Sequence, residues 1–161
     1  MVIIKTAGVF VINKKLELLV AHPTNHDKDF WSIPKGKIDE GEDELTAALR
    51  ELWEESNVDF RTTDPLHYYE LDYEVFDNKR KKLKPYIIFE HENGFNFDTF
   101  DLKCNSNVPI SRGGFPEMDD FAFVSIHDIG EKHKLHHTQM SCLNKIKDLI
   151  CCYIDSSQFS H

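Results

Sequence analysis

The sequence predicts a small α+β or α/β domain, and three observations carry that expectation. Runs dense in β-branched residues are separated by polar turns, one stretch has a clean helical period, and 40% of the 161 residues are hydrophobic. That is enough apolar material for one core, so a single domain over residues 1–161 is expected. The 12% aromatic content supplies large side chains to fill it and rules out wholesale disorder.

Thr6 to Ile12 reads TAGVFVI, followed by a polar turn at Asn13, Lys14 and Lys15 and then LELLVA from Leu16, which predicts a hairpin. Phe30 to Ile33 is a short apolar run stopped by Pro34, with a loop carrying Gly36 and Gly41 behind it. The helix comes next. Leu45, Ala48, Leu49, Leu52 and Trp53 fall at the spacing of one helical face. Asp43 suits the N-cap, where its oxygen accepts from free N–H groups, and Asn57 suits the left-handed position past the end, giving a helix over Glu44–Ser56. Leu66 to Phe76 and Lys82 to Glu92 read as strands joined by the turn DNKRK, and Phe121 to Ser125 as another. Thr138 to Tyr153 reads as a second helix with Met140, Leu143, Ile146, Ile150 and Tyr153 on one side. Residues 93–116 have no period and form a long loop or insertion, whose Phe95, Phe97, Phe100 and Phe115 are expected to pack the loop itself.

With 19 Lys and Arg against 28 Asp and Glu, the chain carries a formal charge of −9. General nucleic-acid binding is therefore not expected, because that mode needs a basic face, and a polyanionic ligand would need cations brought in from solution. The N-terminal apolar stretches are broken by Lys5 and by Asn13 to Lys15, so no signal peptide or membrane span is expected. Cys104, Cys142, Cys151 and Cys152 form no CxxC pair and read as reduced thiols of a cytoplasmic protein.

The helix is unusual on the side opposite its apolar stripe. Glu51, Glu54 and Glu55 crowd together beside Arg50, one turn apart, near the end where the helix dipole is already negative. For stability alone this arrangement is unfavourable. A divalent cation relieves it, and clustered hard oxygens suit Mg²⁺ or Mn²⁺.

From Gly36 to Val58 the sequence GKIDEGEDELTAALRELWEESNV resembles the signature of the Nudix hydrolase family. Gly36, Glu42, Arg50, Glu51, Leu52, Glu54, Glu55 and Val58 match; the family's late glycine is Asn57 here, a residue that tolerates the same left-handed backbone. The resemblance extends over roughly residues 6–126, through AGVFV, WSIPKG and Glu117. It implies an αβα sandwich with a mixed sheet between helices, and an enzyme that cleaves a nucleoside diphosphate linked to another moiety. It further implies that Glu51, Glu54, Glu55, the Gly36 carbonyl and Glu117 hold one to three Mg²⁺ or Mn²⁺ ions. Arg50 would orient the carboxylates and Glu42 anchor the loop. The catalytic base is either a helix glutamate such as Glu54 or the loop candidate Glu117, with Asp119 and Asp120 as its rivals.

Among family members, WSIPKGKIDEGE is most similar to hydrolases of dinucleoside polyphosphates such as Ap4A, with Lys35 as the phosphate-contacting lysine. Tyr73, Lys82, Lys84 and Tyr86 are further candidates for holding a polyphosphate and stacking a base, since strand alternation puts the last three on one side. The expected partner is thus a small-molecule nucleotide polyphosphate, for a monomer or homodimer without membrane attachment. ADP-ribose, a (d)NTP or a capped or triphosphorylated RNA end is the alternative substrate. A non-catalytic Nudix-like binding module is the remote one.

Overall fold

The computed structural model describes the backbone of residues 2–158 and the side chains of residues 2–152. A seven-stranded mixed sheet forms the middle layer, with one helix on each face. Strand β1 (Ile4–Ile12) runs parallel to β6 (Lys81–Phe89) along its whole length and meets β2 (Glu17–Pro23) in an antiparallel hairpin at Ile12 and Leu18. Beyond that pair β1 parts from β2, and the short β3 (Lys35–Lys37) fills the space beside Thr6 to Gly8. On the far side, β2 pairs antiparallel with β7 (Met118–Ser125).

Helix α1 (Glu44–Ser56) covers one face, packing Ala47, Ala48, Leu49 and Leu52 on Ala7, Val9, Val11, Tyr86 and Ile88. Its caps are the expected ones: the Thr46 N–H donates to Asp43 Oδ1 at 2.8 Å, and Asn57 sits at φ 67° with its N–H bonded to the Trp53 carbonyl. Helix α2 (His137–Gln158) covers the other face and buries Cys142, Leu143 and Ile146 against Phe10, Ile12, Leu18 and Ile87. It is longer than the expected Thr138–Tyr153; Met140 and Ile150 pack on the same side, and the Tyr153 side chain lies outside the described residues.

The expected strand over Leu66–Phe76 is not continuous. Only β4 (Tyr69–Glu70) and β5 (Glu74–Phe76) pair with β6, and the register slips by one residue between them. The partner at the break is Pro85, which has no N–H to offer the ladder. β6 also ends at Phe89, where Glu90–Glu92 turn into a 3₁₀ helix. In the loop that follows, Phe97 is buried and stacks on Phe100 at 4.8 Å; both also meet Phe60 beneath α1, so the segment packs into the core rather than only on itself as expected. All four cysteines are free. Among the described residues no helix is long and apolar enough to cross a membrane.

Candidate active site

The acidic residues of α1 are not the solvated surface that their charge suggests. Glu51 is 8% exposed and Glu55 4% exposed, because the side of the helix that carries them faces β3 and the turn before it. Gly36 makes this approach possible: a Cβ there would collide with the Glu51 carboxylate, so no other residue leaves room for it. Lys35 adjoins it, and its backbone N–H donates to Glu55 Oε1 at 3.2 Å.

Arg50 ties the near half of the cluster together. Its Nε and Nη2 donate to the two Glu42 oxygens at 2.8 and 2.9 Å, Nη2 also reaches the Lys37 carbonyl, and Nη1 donates to Glu51 Oε1 at 3.0 Å and Glu54 Oε2 at 3.1 Å. A planar fork with five donors can make these bonds at once; a lysine cannot. The bond from Arg50 holds the Glu42 carboxyl below its ordinary range, and the Glu42 bond raises Arg50 in turn.

Even with Arg50 in place, the charges are frustrated. Burial, reinforced by the charge of Glu54, pushes Glu51 up to about 7 despite the nearby guanidinium. Full burial drives Glu55 well above the carboxylate range, against the opposing pull of Lys35. Glu117, just before β7, is raised by burial and by Glu54, and shares a hydrogen bond with Glu55. Two carboxyls can bond only through a proton, so without a cation Glu55 and Glu117 share one.

Glu117 thus joins the helix glutamates, while its rivals do not. Asp119 accepts from His22 at 2.6 Å, and Asp120 accepts from the Phe121 N–H and is exposed. Lys82, Lys84 and Tyr86 share one face as expected and Tyr73 joins them, but that face lies under the opposite end of α1. The Lys82 and Lys84 ammonium groups each lie 5.8 Å from the Tyr73 ring centre, and Tyr73 bonds Glu44. Lys84 is 3.7 Å from Glu70, and Tyr86 is 4% exposed. Seven residues of helix, about 10 Å, separate Glu44 from Glu51. The structure therefore gives these four a packing environment apart from the acidic cluster, whereas the charge of Lys35 acts on both Glu55 and Glu117.

Sequence reading missed two features. His22 stands beside the site and binds Asp119; its only sequence signal is a polar residue closing the apolar run LLVA. The segment 101–106 straps the end of α1. Asn105 donates to the Glu54 carbonyl at 2.6 Å and, through its side chain, to the Trp53 carbonyl at 3.0 Å. The Lys103 N–H reaches the Ser56 carbonyl at 3.2 Å, and Asn57 Nδ2 donates back to the Asp101 carbonyl at 2.9 Å. Asn57 thus does more than stand in for a glycine.

Carboxylates kept from ionising by burial and by one another are suited to a divalent cation, and every donor here is a hard oxygen. The residues fit such an ion. Among the described residues, however, no three acidic, histidine or cysteine side chains already stand in an ion-enclosing geometry. Arg50 draws Glu51 and Glu54 to itself, and the shared proton holds Glu55 on Glu117.

The NUDIX domain model matches residues 3–144. An RNA pyrophosphohydrolase of Pelagibacter ubique (strain HTCC1062) is 47% identical over 51 residues, 32% of this chain and 32% of that protein. The asymmetrical bis(5'-nucleosyl)-tetraphosphatase of Caenorhabditis elegans is 40% identical over 62 residues, 35% of this chain and 42% of that protein. The matched segments thus span less than half the length of either curated relative. The crystal structure of a C. elegans Ap4A hydrolase binary complex shares the fold with a TM-score of 0.65 at 24% identity, covering 92% of this chain and 98% of that one. A match over nearly the whole chain, on a sheet and helix arranged as that family arranges them, identifies this protein as a member of the Nudix hydrolase family.

Proposed function

We propose that the chain is a divalent-metal-dependent pyrophosphohydrolase that splits a nucleoside diphosphate derivative by attack of water on phosphorus, with a dinucleoside polyphosphate such as Ap4A as substrate. The observation that carries this reading is the convergence of Glu51, Glu54, Glu55 and Glu117 beside Gly36 and Lys35, acidic groups that burial and mutual repulsion leave short of positive charge.

In this reading Glu51, Glu54, Glu55, Glu117 and the Gly36 carbonyl hold Mg²⁺ or Mn²⁺. The bound ion supplies neutralisation of phosphate charge and a lowered pKa for water. Lys35 binds a phosphate oxygen at the mouth of the cluster. Glu117 takes the proton of the attacking water, reaching the helix glutamates from a separate element beside Glu55 and Lys35. Arg50 keeps Glu51 and Glu54 in place during turnover.

A second reading is favoured by the relatives: the Pelagibacter protein matched over this region carries the name RNA pyrophosphohydrolase. The deciding experiment is a panel of Ap4A, ADP-ribose, a nucleoside triphosphate and 5'-triphosphorylated RNA with Mg²⁺. Products are resolved by mass, with isotopically labelled water marking the phosphorus attacked. Ap4A should be turned over fastest, and Glu54→Gln should cost roughly a hundredfold or more with the melting temperature preserved. Equal rates for wild type and Glu54→Gln would remove the glutamate cluster from the chemistry; faster turnover of the RNA would transfer the substrate to the second reading.

A further inference from the structure

The candidate base Glu117 does not sit where unbroken strand pairing would put it. Along β2 and β7 the partners run in strict antiparallel register from Glu17 and Ser125 to His22 and Asp120. The next pair is Pro23 with Met118, so Asp119 is an extra residue on β7. Pro23 cannot donate to the ladder, which makes this the natural place for the pairing to slip. One extra residue reverses the side-chain alternation of everything before it, and so turns Glu117 to the side opposite the one that the phase of β7 assigns.

A bulge of this kind needs something to hold the surplus residue. His22 does so. Its Nε2 lies 2.8 Å from the Asp27 carbonyl oxygen and its Nδ1 lies 2.6 Å from Asp119 Oδ1. A carbonyl can only accept, so Nε2–H donates to Asp27, and Nδ1–H donates to the Asp119 carboxylate. The ring is 9% exposed and lies edge-on to Trp31 at 5.3 Å, which leaves it little freedom to turn away. Past the bulge the strands rejoin, with the Thr24 N–H donating to the Glu117 carbonyl at 2.9 Å and the Thr24 hydroxyl to the Pro116 carbonyl at 2.6 Å. The Glu117 N–H is spoken for by the Ser106 carbonyl at 3.0 Å.

We propose that His22 is a positioning residue for Glu117: by gripping Asp119 it holds β7 in its bulged register and so keeps the Glu117 carboxyl against Glu55 and Lys35. The inference rests on the hydrolase reading for its kinetic consequence and on the structure alone for the register. Loss of the grip lets Asp119 leave the bulge and the strand slide towards regular pairing. Glu117 then moves by a fraction of a residue, the kind of misplacement that costs on the order of tenfold to a hundredfold in rate.

The test compares wild type, His22→Ala, Asp119→Ala and the double variant. Asp119 is half-exposed, so its truncation leaves the core intact. Expected are a tenfold to hundredfold fall in kcat for each single variant, a KM within about twofold of wild type, and no loss in the double variant beyond that of His22→Ala, because the His22–Asp119 contact is broken in all three. Amide hydrogen exchange supplies a readout independent of turnover: the Thr24 N–H should lose protection in Asp119→Ala. Wild-type kcat in Asp119→Ala, multiplicative losses in the double variant, or unchanged exchange at Thr24 would each overturn the proposal. If wild type hydrolyses none of the nucleotides, the hydrolase reading fails, and exchange at Thr24 still decides whether His22 fixes the register.

Discussion

Replacing Glu51 by Gln should make the metal-free protein more stable at neutral and alkaline pH. Glu51 is buried, and its carboxyl is pushed from 4.5 to about 7 by burial and by Glu54. In the unfolded chain it releases its proton near 4.5, while the folded chain retains it until about 7. Between those values the native state binds more protons than the unfolded one, so stability is fully present below 4.5 and is lost as pH rises. At about 1.4 kcal/mol per pH unit the loss reaches about 3 kcal/mol. For a chain of this size that is roughly 10 °C in melting temperature. Glutamine keeps the volume and the oxygen that accepts from Arg50 but cannot ionise. Thermal unfolding in chelator from pH 4.5 to 8 should therefore show the two proteins together in acid and Glu51→Gln ahead at pH 8. Adding Mg²⁺ at pH 8 should raise wild type more than the variant, since an ion that binds only the native state stabilises it. Parallel pH curves for the two proteins in chelator would refute the claim that burial, with Glu54 beside it, raises the Glu51 carboxyl.

Gly36→Ala forces a methyl group into the Glu51 carboxylate, so it should cost about 1–3 kcal/mol in urea unfolding and at least tenfold in turnover. Lys35→Ala should raise the KM for Ap4A about tenfold while Lys84→Ala leaves it within twofold, because Lys84 is occupied with Glu70 and two tyrosine rings; steady-state kinetics on both variants check this. Asn57→Ala should destabilise by about 1–2 kcal/mol, since alanine resists a φ of 67° and loses the bond to Asp101, and Asn57→Gly by less, as a denaturation series would show.

Helix α1 was legible because its determinants are local. The apolar spacing, Asp43 before it and Asn57 after it act within a turn or two of the chain, and the motif spacing places Gly36 beside it. What stayed hidden depends on partners distant in sequence. Whether Glu51 and Glu55 face water or protein is decided by β3, not by α1 itself. The break between β4 and β5 is set by a proline on another strand, and the parallel pairing of β1 with β6 joins segments more than seventy residues apart. Alternation correctly put Lys82, Lys84 and Tyr86 on one side, but a period of two cannot say which helix end covers that side. His22 meets Asp119 across 97 residues, through a bulge that neither segment announces alone.

The strap over residues 101–106 divides the long segment into parts with different evolutionary freedom. The exposed stretches around Gly94 and around Ile110 to Gly113 bear little load and can gain or lose residues at small entropic cost. Between Asp101 and Ser106 the thread is counted out, since Asn105 seals the carbonyls of Trp53 and Glu54 while Ser106 anchors the Glu117 amide. A deletion there would draw the loop glutamate and the last turn of the helix out of step with each other. Homologous chains should therefore vary in length on either side of this stretch and keep its span, a pattern that an alignment of loop lengths would reveal without any assay.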